Sequence, residues 1–181
     1  TIPIWLKRSA SIRIKSTPGG SSLVIFASEV ERKEILDYFS DRFGIPEEAF
    51  EGFCFLKGER KIWVVREHPD LEGILNQLKV ESAGVPILRT KTSMWKPTTA
   101  GLQIFGPYAT RNGIDLEGDA LQTFLKGESL EGPFSLEPGF VIARCRGKVL
   151  ACAVYGKGKL RSQIPEPRGR GLRGKIRSED S

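Results

Sequence analysis

Phe140-Val141-Ile142-Ala143-Arg144-Cys145 and Lys148-Val149-Leu150-Ala151-Cys152-Ala153-Val154-Tyr155 are two apolar runs separated only by Arg146-Gly147. Residues of high strand propensity on both sides of a two-residue glycine turn spell a β-hairpin. Upstream, Asn112–Leu116 reads as a short strand and Asp119–Lys126 as a short helix ending at Gly127. Downstream, Leu160–Ile164 adds a further strand, and Gly101–Tyr108 is mixed in character. Short strands with one helix inserted early predict a small β-barrel-like domain in this half of the chain.

The first half has a different texture. Leu23–Ala27 reads as a short buried strand. Ser28 followed by Glu31 is a capping-box pattern, in which each side chain satisfies an orphan backbone N–H. Ile35, Leu36, Phe39 and Phe43 then keep a helical stripe up to Gly44, which predicts a helix over about 29–43. Phe53–Lys57 and Lys61–Arg66 flank Gly58-Glu59-Arg60 as a hairpin. Leu71–Lys79 repeats Leu71, Ile74, Leu75 and Leu78 at helical spacing, with Asp70 as N-cap. Val85–Arg89 is a last strand. The order β-α-β-β-α-β predicts a split-βαβ-like antiparallel sheet with two helices packed on one of its faces. Thr90–Thr99 reads as a hinge. The expected class is therefore α+β, with residues 1–22 a basic arm, 23–90 the first domain, 92–168 the barrel-like domain and 169–181 a basic tail.

Composition bounds the function. The 181 residues are 39% hydrophobic and 28% charged, a soluble globular balance, and no apolar run approaches the ~18 residues of a membrane helix. Cys54, Cys145 and Cys152 are odd in number and lack metal-type spacing, which points to a reducing cytoplasm. The scarcity of Asn and Gln suggests a thermophilic source. The net charge of +6 is unevenly spread. Residues 1–28 carry four bases and no acid, residues 29–156 carry 16 bases against 19 acids, and residues 157–181 carry eight bases against three acids. Basic ends on a slightly acidic body make an electrostatic footprint for a polyanion.

Little in the chain supports catalysis. His68, the only histidine, precedes a proline in a turn, so no Ser-His-Asp or Cys-His set can be assembled around a second one. Ser16-Thr17-Pro18-Gly19-Gly20-Ser21-Ser22 lacks the Lys-Ser/Thr of a phosphate loop, and neither Gly156-Lys157-Gly158 nor Gly169-Arg170-Gly171 forms a dinucleotide fingerprint. The three cysteines sit inside expected strands, where buried inert thiols are the usual occupants.

Several motifs carry a family resemblance. The helix Asp119–Lys126 closed by Gly127-Glu128, the strand Pro138-Gly139-Phe140-Val141-Ile142, the turn Arg146-Gly147-Lys148-Val149-Leu150 and the ending Lys159-Leu160-Arg161-Ser162-Gln163-Ile164-Pro165 resemble a PUA domain. This is the small pseudo-barrel of RNA-modifying enzymes and ribosome-assembly factors. The ending, Lys96–Gly106, and the Phe43–Phe50 segment together are similar to a narrower group. It comprises the C-terminal region of Sun-family RNA cytosine-5 methyltransferases and their stand-alone archaeal relatives. Two departures stand out. Ala151 and Ala153 occupy positions that are often glycine in the family, which argues against a close backbone approach of RNA there. The glycine-rich cofactor loop and the paired catalytic cysteines are missing.

The resemblance thus implies a non-catalytic RNA-binding protein of tRNA or rRNA modification and ribosome biogenesis, and together with the composition it leads us to expect no cofactor, no metal and no membrane association. Its implied RNA surface contains Arg111, Lys126, Gly127 and Arg161-Ser162-Gln163. The charge pattern adds Lys157, Lys159, Arg168, Arg170 and Arg173. Lysine and arginine contribute phosphate contacts, while Ser162 and Gln163 offer hydrogen bonds to a 2′-hydroxyl or base edge. The alternatives are an accessory module for a separately encoded RNA methyltransferase and a small RNA-acting enzyme.

Overall fold

The computed structural model describes residues 24–77, 83–91 and 94–164; the expected arm and tail, with Arg168, Arg170 and Arg173, lie outside them. Ser28 and Glu31 open the first helix reciprocally. Glu31 N donates to Ser28 Oγ at 3.3 Å, and Ser28 N donates to the Glu31 carboxylate at 2.9 Å. Helix α1 spans Glu29–Phe43 and leaves through Gly44 at φ +62°, the left-handed conformation that glycine enters without steric cost.

The first sheet contains β1 (Ile25–Phe26), β2 (Phe53–Lys57), β3 (Lys61–Arg66), β4 (Val85–Arg89) and β5 (Lys96–Pro97), with α2 (Leu71–Gln77) between β3 and β4. The α+β class and the antiparallel sheet with two helices are as expected. The strands lie in sequential order, β1 to β5, so each pairs with the next in the chain. The connection through α1 returns to the neighbouring strand instead of crossing over.

The helices do not share a face. Successive strand residues point to opposite sides, and Phe55, Ile62 and Val64 meet α1 while Leu56 and Trp63 meet Leu75 of α2. The expected hinge 90–99 is built into the fold from residue 94 onward. Its Lys96–Pro97 pairs with Leu88 and Arg89, and Thr98 Oγ1 accepts from Gly101 N at 2.9 Å to cap α3 (Thr99–Phe105). Gly101 is required there, because a Cβ would stand 2.8 Å from the Ile87 backbone.

The second sheet holds β6 (Gly113–Asp115), β7 (Leu130–Glu131), β8 (Gly139–Cys145), β9 (Lys148–Gly156) and β10 (Lys159–Ser162), in the order β6-β8-β9-β10-β7. Helix α4 (Gly118–Leu125) follows β6, which pairs with β8 in parallel.

Strands β8 and β9 are covered on both sides. Ile142 pairs with Cys152, and both join Phe39, Phe43 and Phe105 in the core around α1 and α3. Val141, Ala143, Ala151 and Ala153 face the other way, into a core with Phe124 and Leu125 of α4. The near-continuous apolar runs of the hairpin reflect this double burial. Ala151 and Ala153 are fully buried, so packing, not RNA, sets what fits at those two positions. Stacked rings of Phe50 and Phe105, 4.2 Å between centroids, knit the α3 end to the first half. Each fully buried phenylalanine is worth about 1.5–3 kcal/mol by area. Among the described residues no helix is long and apolar enough to cross a membrane.

Candidate nucleic-acid interface

A helix ends with backbone carbonyls that have no partner inside it. Those of α1 are taken up by the segment before β6. Thr110 N and Arg111 N both donate to Phe43 O at 3.0 Å, Thr110 Oγ1 donates to Gly44 O at 3.1 Å, and Asn112 Nδ2 donates to Arg42 O at 2.7 Å. Arg42 reaches the other way. Its Nε donates to Phe140 O at 2.6 Å and its Nη2 to Glu137 O at 2.8 Å. Asn112 is buried at φ +51°, a left-handed backbone that asparagine tolerates better than most residues.

Glu137 gathers these groups. Its carboxylate accepts from Asn112 Nδ2 at 2.9 Å and from Arg111 Nη2 at 2.8 Å, and stands 3.5 Å from Arg42 Nη1. The hydrogen bond from Asn112, then that from Arg111, hold its carboxyl below the ordinary value. Beside it opens a cleft of about 590 Å³ lined by Arg111, Asn112, Phe134, Ser135, Glu137 and Arg144. Arg144 Nε stands 3.2 Å from Asp115 Oδ2. The N–H is not aimed at that oxygen, however, and the nitrogen is buried without a hydrogen bond. None of Arg42, Asn112, Glu137 or Arg144 was expected from the sequence. Asparagine before a glycine and a lone glutamate in a loop have no distinctive spacing, and their meaning comes from the meeting of two distant segments.

At the other edge of the sheet, α4 ends as expected at Gly127, φ +85°. Glu128 N donates to Thr123 O at 3.2 Å and Gly127 N to Phe124 O at 3.0 Å, the paired bonds of a Schellman motif. A Cβ on Gly127 would meet nothing within 4 Å, so the helix end opens to solvent. Leu130 of β7 pairs with Leu160, and Glu131 pairs with Lys159. The antiparallel register therefore runs the chain leaving α4 at Lys126-Gly127 in from the side of the sheet on which β10 ends with Arg161 and Ser162. Ser162 Oγ accepts from Ile164 N at 3.2 Å, and Gln163 Oε1 accepts from Lys96 Nζ at 2.5 Å. Lys96 is a basic residue of this corner that the sequence reading did not single out.

The expected site residues thus separate into groups. Lys126 and Gly127, just before β7, lie toward the end of β10 that carries Arg161, Ser162 and Gln163. Lys157, at φ +51° in the β9–β10 turn, and Lys159 lie at the far end of β10, and Lys159 is held by Glu131 at 2.7 Å. Arg111 is elsewhere, engaged by Glu137 at the β6 edge, three strand spacings or roughly 14 Å from β10. Lys126 and Arg161 have no carboxylate partner among the described residues. Unpaired exposed cations are free to meet phosphates.

Two of the thiols, Cys152 and Cys54, have their ionised form disfavoured. Burial pushes Cys152 up to about 12 and also raises Cys54, where Glu67 adds to the effect. Cys145 is buried.

Two family models match the chain. Residues 111–169 match the PUA domain of the methyltransferase RsmF. Residues 15–84 match a family of unknown function (DUF7122). No curated protein matches the chain. The second sheet with α4 thus resembles the PUA domain in the C-terminal region of Sun-family methyltransferases, and the α+β domain before it carries the second match.

Proposed function

We propose that this chain is a non-catalytic RNA-binding protein acting in tRNA or rRNA modification in the cytoplasm. It holds structured RNA at the corner formed by Lys126, Gly127, Arg161, Ser162 and Gln163. The observation that carries this reading is the β7–β10 register. It turns the solvent-open helix end toward the end of β10 that carries Arg161, Ser162 and Gln163, inside the segment that matches a methyltransferase's PUA domain. Lysine and arginine supply affinity and salt dependence, and the open Gly127 lets a backbone come close. The desolvated thiols support the non-catalytic part, since the thiolate is the reactive form and burial disfavours it.

Filter binding of the full chain to total tRNA and to rRNA fragments across a salt series tests the reading. The logarithm of the association constant should fall linearly with the logarithm of salt concentration. Arg161→Ala should weaken binding at low salt and leave the melting temperature unchanged. Absence of binding to either RNA pool at low salt would overturn it.

A further inference from the structure

Lys61, Arg89 and Lys96 stand in one cross-strand row. Lys61 is directly opposite Arg89, and Arg89 is directly opposite Lys96. A bulge at Ile87 sets this register, because Ile62 pairs with Leu88 while Trp63 pairs with Pro86. Like charges directly opposite each other destabilise a sheet, and opposite charges at such positions are the favourable choice. None of the three has a carboxylate partner among the described residues. The acid nearest to Lys61 in sequence, Glu59, stands 3.7 Å from Arg60. The row does not end at the sheet edge, since Lys96 Nζ reaches Gln163 Oε1 in the PUA domain.

A sheet that places three cations side by side without neutralising them departs from its own stability rules, and such departures concentrate at functional sites. Adjacent strands lie about 4.8 Å apart, so the row spans roughly 10 Å. Through Gln163 it leads to the end of β10 that carries Arg161. A chain of fixed negative charges is the complement of such a line, whereas a single small anion would leave part of it unmatched.

We infer that the Lys61–Arg89–Lys96 row is a second RNA contact. It is a track along which the phosphodiester backbone continues from the Arg161–Gln163 corner across the first sheet. This rests on the RNA-binding reading above and extends it to the α+β domain. The contact is to phosphates, so it adds affinity and orientation without reading sequence.

The test uses the full chain, total tRNA and filter binding across a salt series. Lys61→Ala/Arg89→Ala should flatten the log–log slope by roughly 1.4–1.8, the sum of two lost phosphate contacts, and each single variant by about half as much. Lys33→Ala, which removes a lysine paired with Asp37 on α1, should keep the parent's slope. At low salt the double variant should melt at the parent's temperature or higher, because a like-charge opposition is gone. If the parent binds tRNA and the double variant keeps its affinity and slope, the track is overturned while the RNA-binding corner stands. If the parent itself does not bind, the functional reading fails and the track fails with it.

Discussion

Asn112 and Arg42 are 70 residues apart, yet the Asn112 amide donates to the Arg42 carbonyl at 2.7 Å and closes the end of α1 from within the other half of the chain. The same amide donates to Glu137, and Asn112 Oδ1 accepts from Glu137 N at 2.9 Å. One buried side chain thereby joins a helix end, a strand entry and a loop.

Asn112→Ala should lower the unfolding free energy by about 3 kcal/mol, combining lost hydrogen bonds with a left-handed backbone that alanine resists. Asn112→Gly should lose about 1 kcal/mol less, because glycine takes that backbone freely. Denaturant titration measures both. Equal losses would show that the backbone conformation at this position carries no strain.

Gly127→Ala should destabilise by about 1 kcal/mol. The cause is conformational alone, since the added methyl would meet nothing within 4 Å. Lys126→Ala should stay within about 0.5 kcal/mol of the parent in stability and bind RNA more weakly at low salt. Unchanged RNA affinity for Lys126→Ala would remove this helix end from the interface.

Glu137 has a carboxyl held below its ordinary value of 4.5, first by Asn112 and then by Arg111. A depressed folded value means the stabilisation is fully present above pH 4.5 and is lost as the pH falls through the lowered value. Glu137→Gln should therefore be less stable than the parent at pH 7, and the gap should narrow as the pH drops below 4.5. A gap that stays constant over that range would show that the carboxylate charge contributes nothing.

The cysteines should divide by accessibility. In the native protein Cys54, half-buried, should react with a thiol reagent before Cys145 and Cys152, which are buried. All three should react after unfolding. A fluorinated-cytosine RNA should form no covalent adduct, and detection of one would restore a methyltransferase-like chemistry.

Local signals in the sequence were strong where one segment determines its own structure. The Ser28–Glu31 box, the Gly44 and Gly127 helix exits and the two hairpins depend on residues a few positions apart. The strand order could not be read that way, because a helix between two strands serves equally to return to a neighbour or to cross over it. The double burial of β8 and β9 was hidden for a related reason. A continuous apolar run announces burial without saying which elements cover each side. Helix α3 was obscured by its brevity and by Gly101, whose role appears only once Ile87 lies against it. Of the proposed interface, Lys126, Gly127 and Arg161–Gln163 came from the family resemblance. Lys96 reaches Gln163 across 67 positions of sequence, and no pattern along the chain encodes that meeting.

The two-sided strands β8 and β9 have a consequence for portability. Modules of this kind are expected to be excised and transplanted whole, carrying their binding surface to new hosts. Here a cut ahead of residue 111 would strip α1 and α3 from Phe140, Ile142, Val149 and Cys152, baring one side of the hairpin to water. The stretch that matches the PUA model is therefore not covered on both sides by its own residues. Its neighbour is part of its interior, so a transplant that leaves the first half behind also leaves behind one wall of the core.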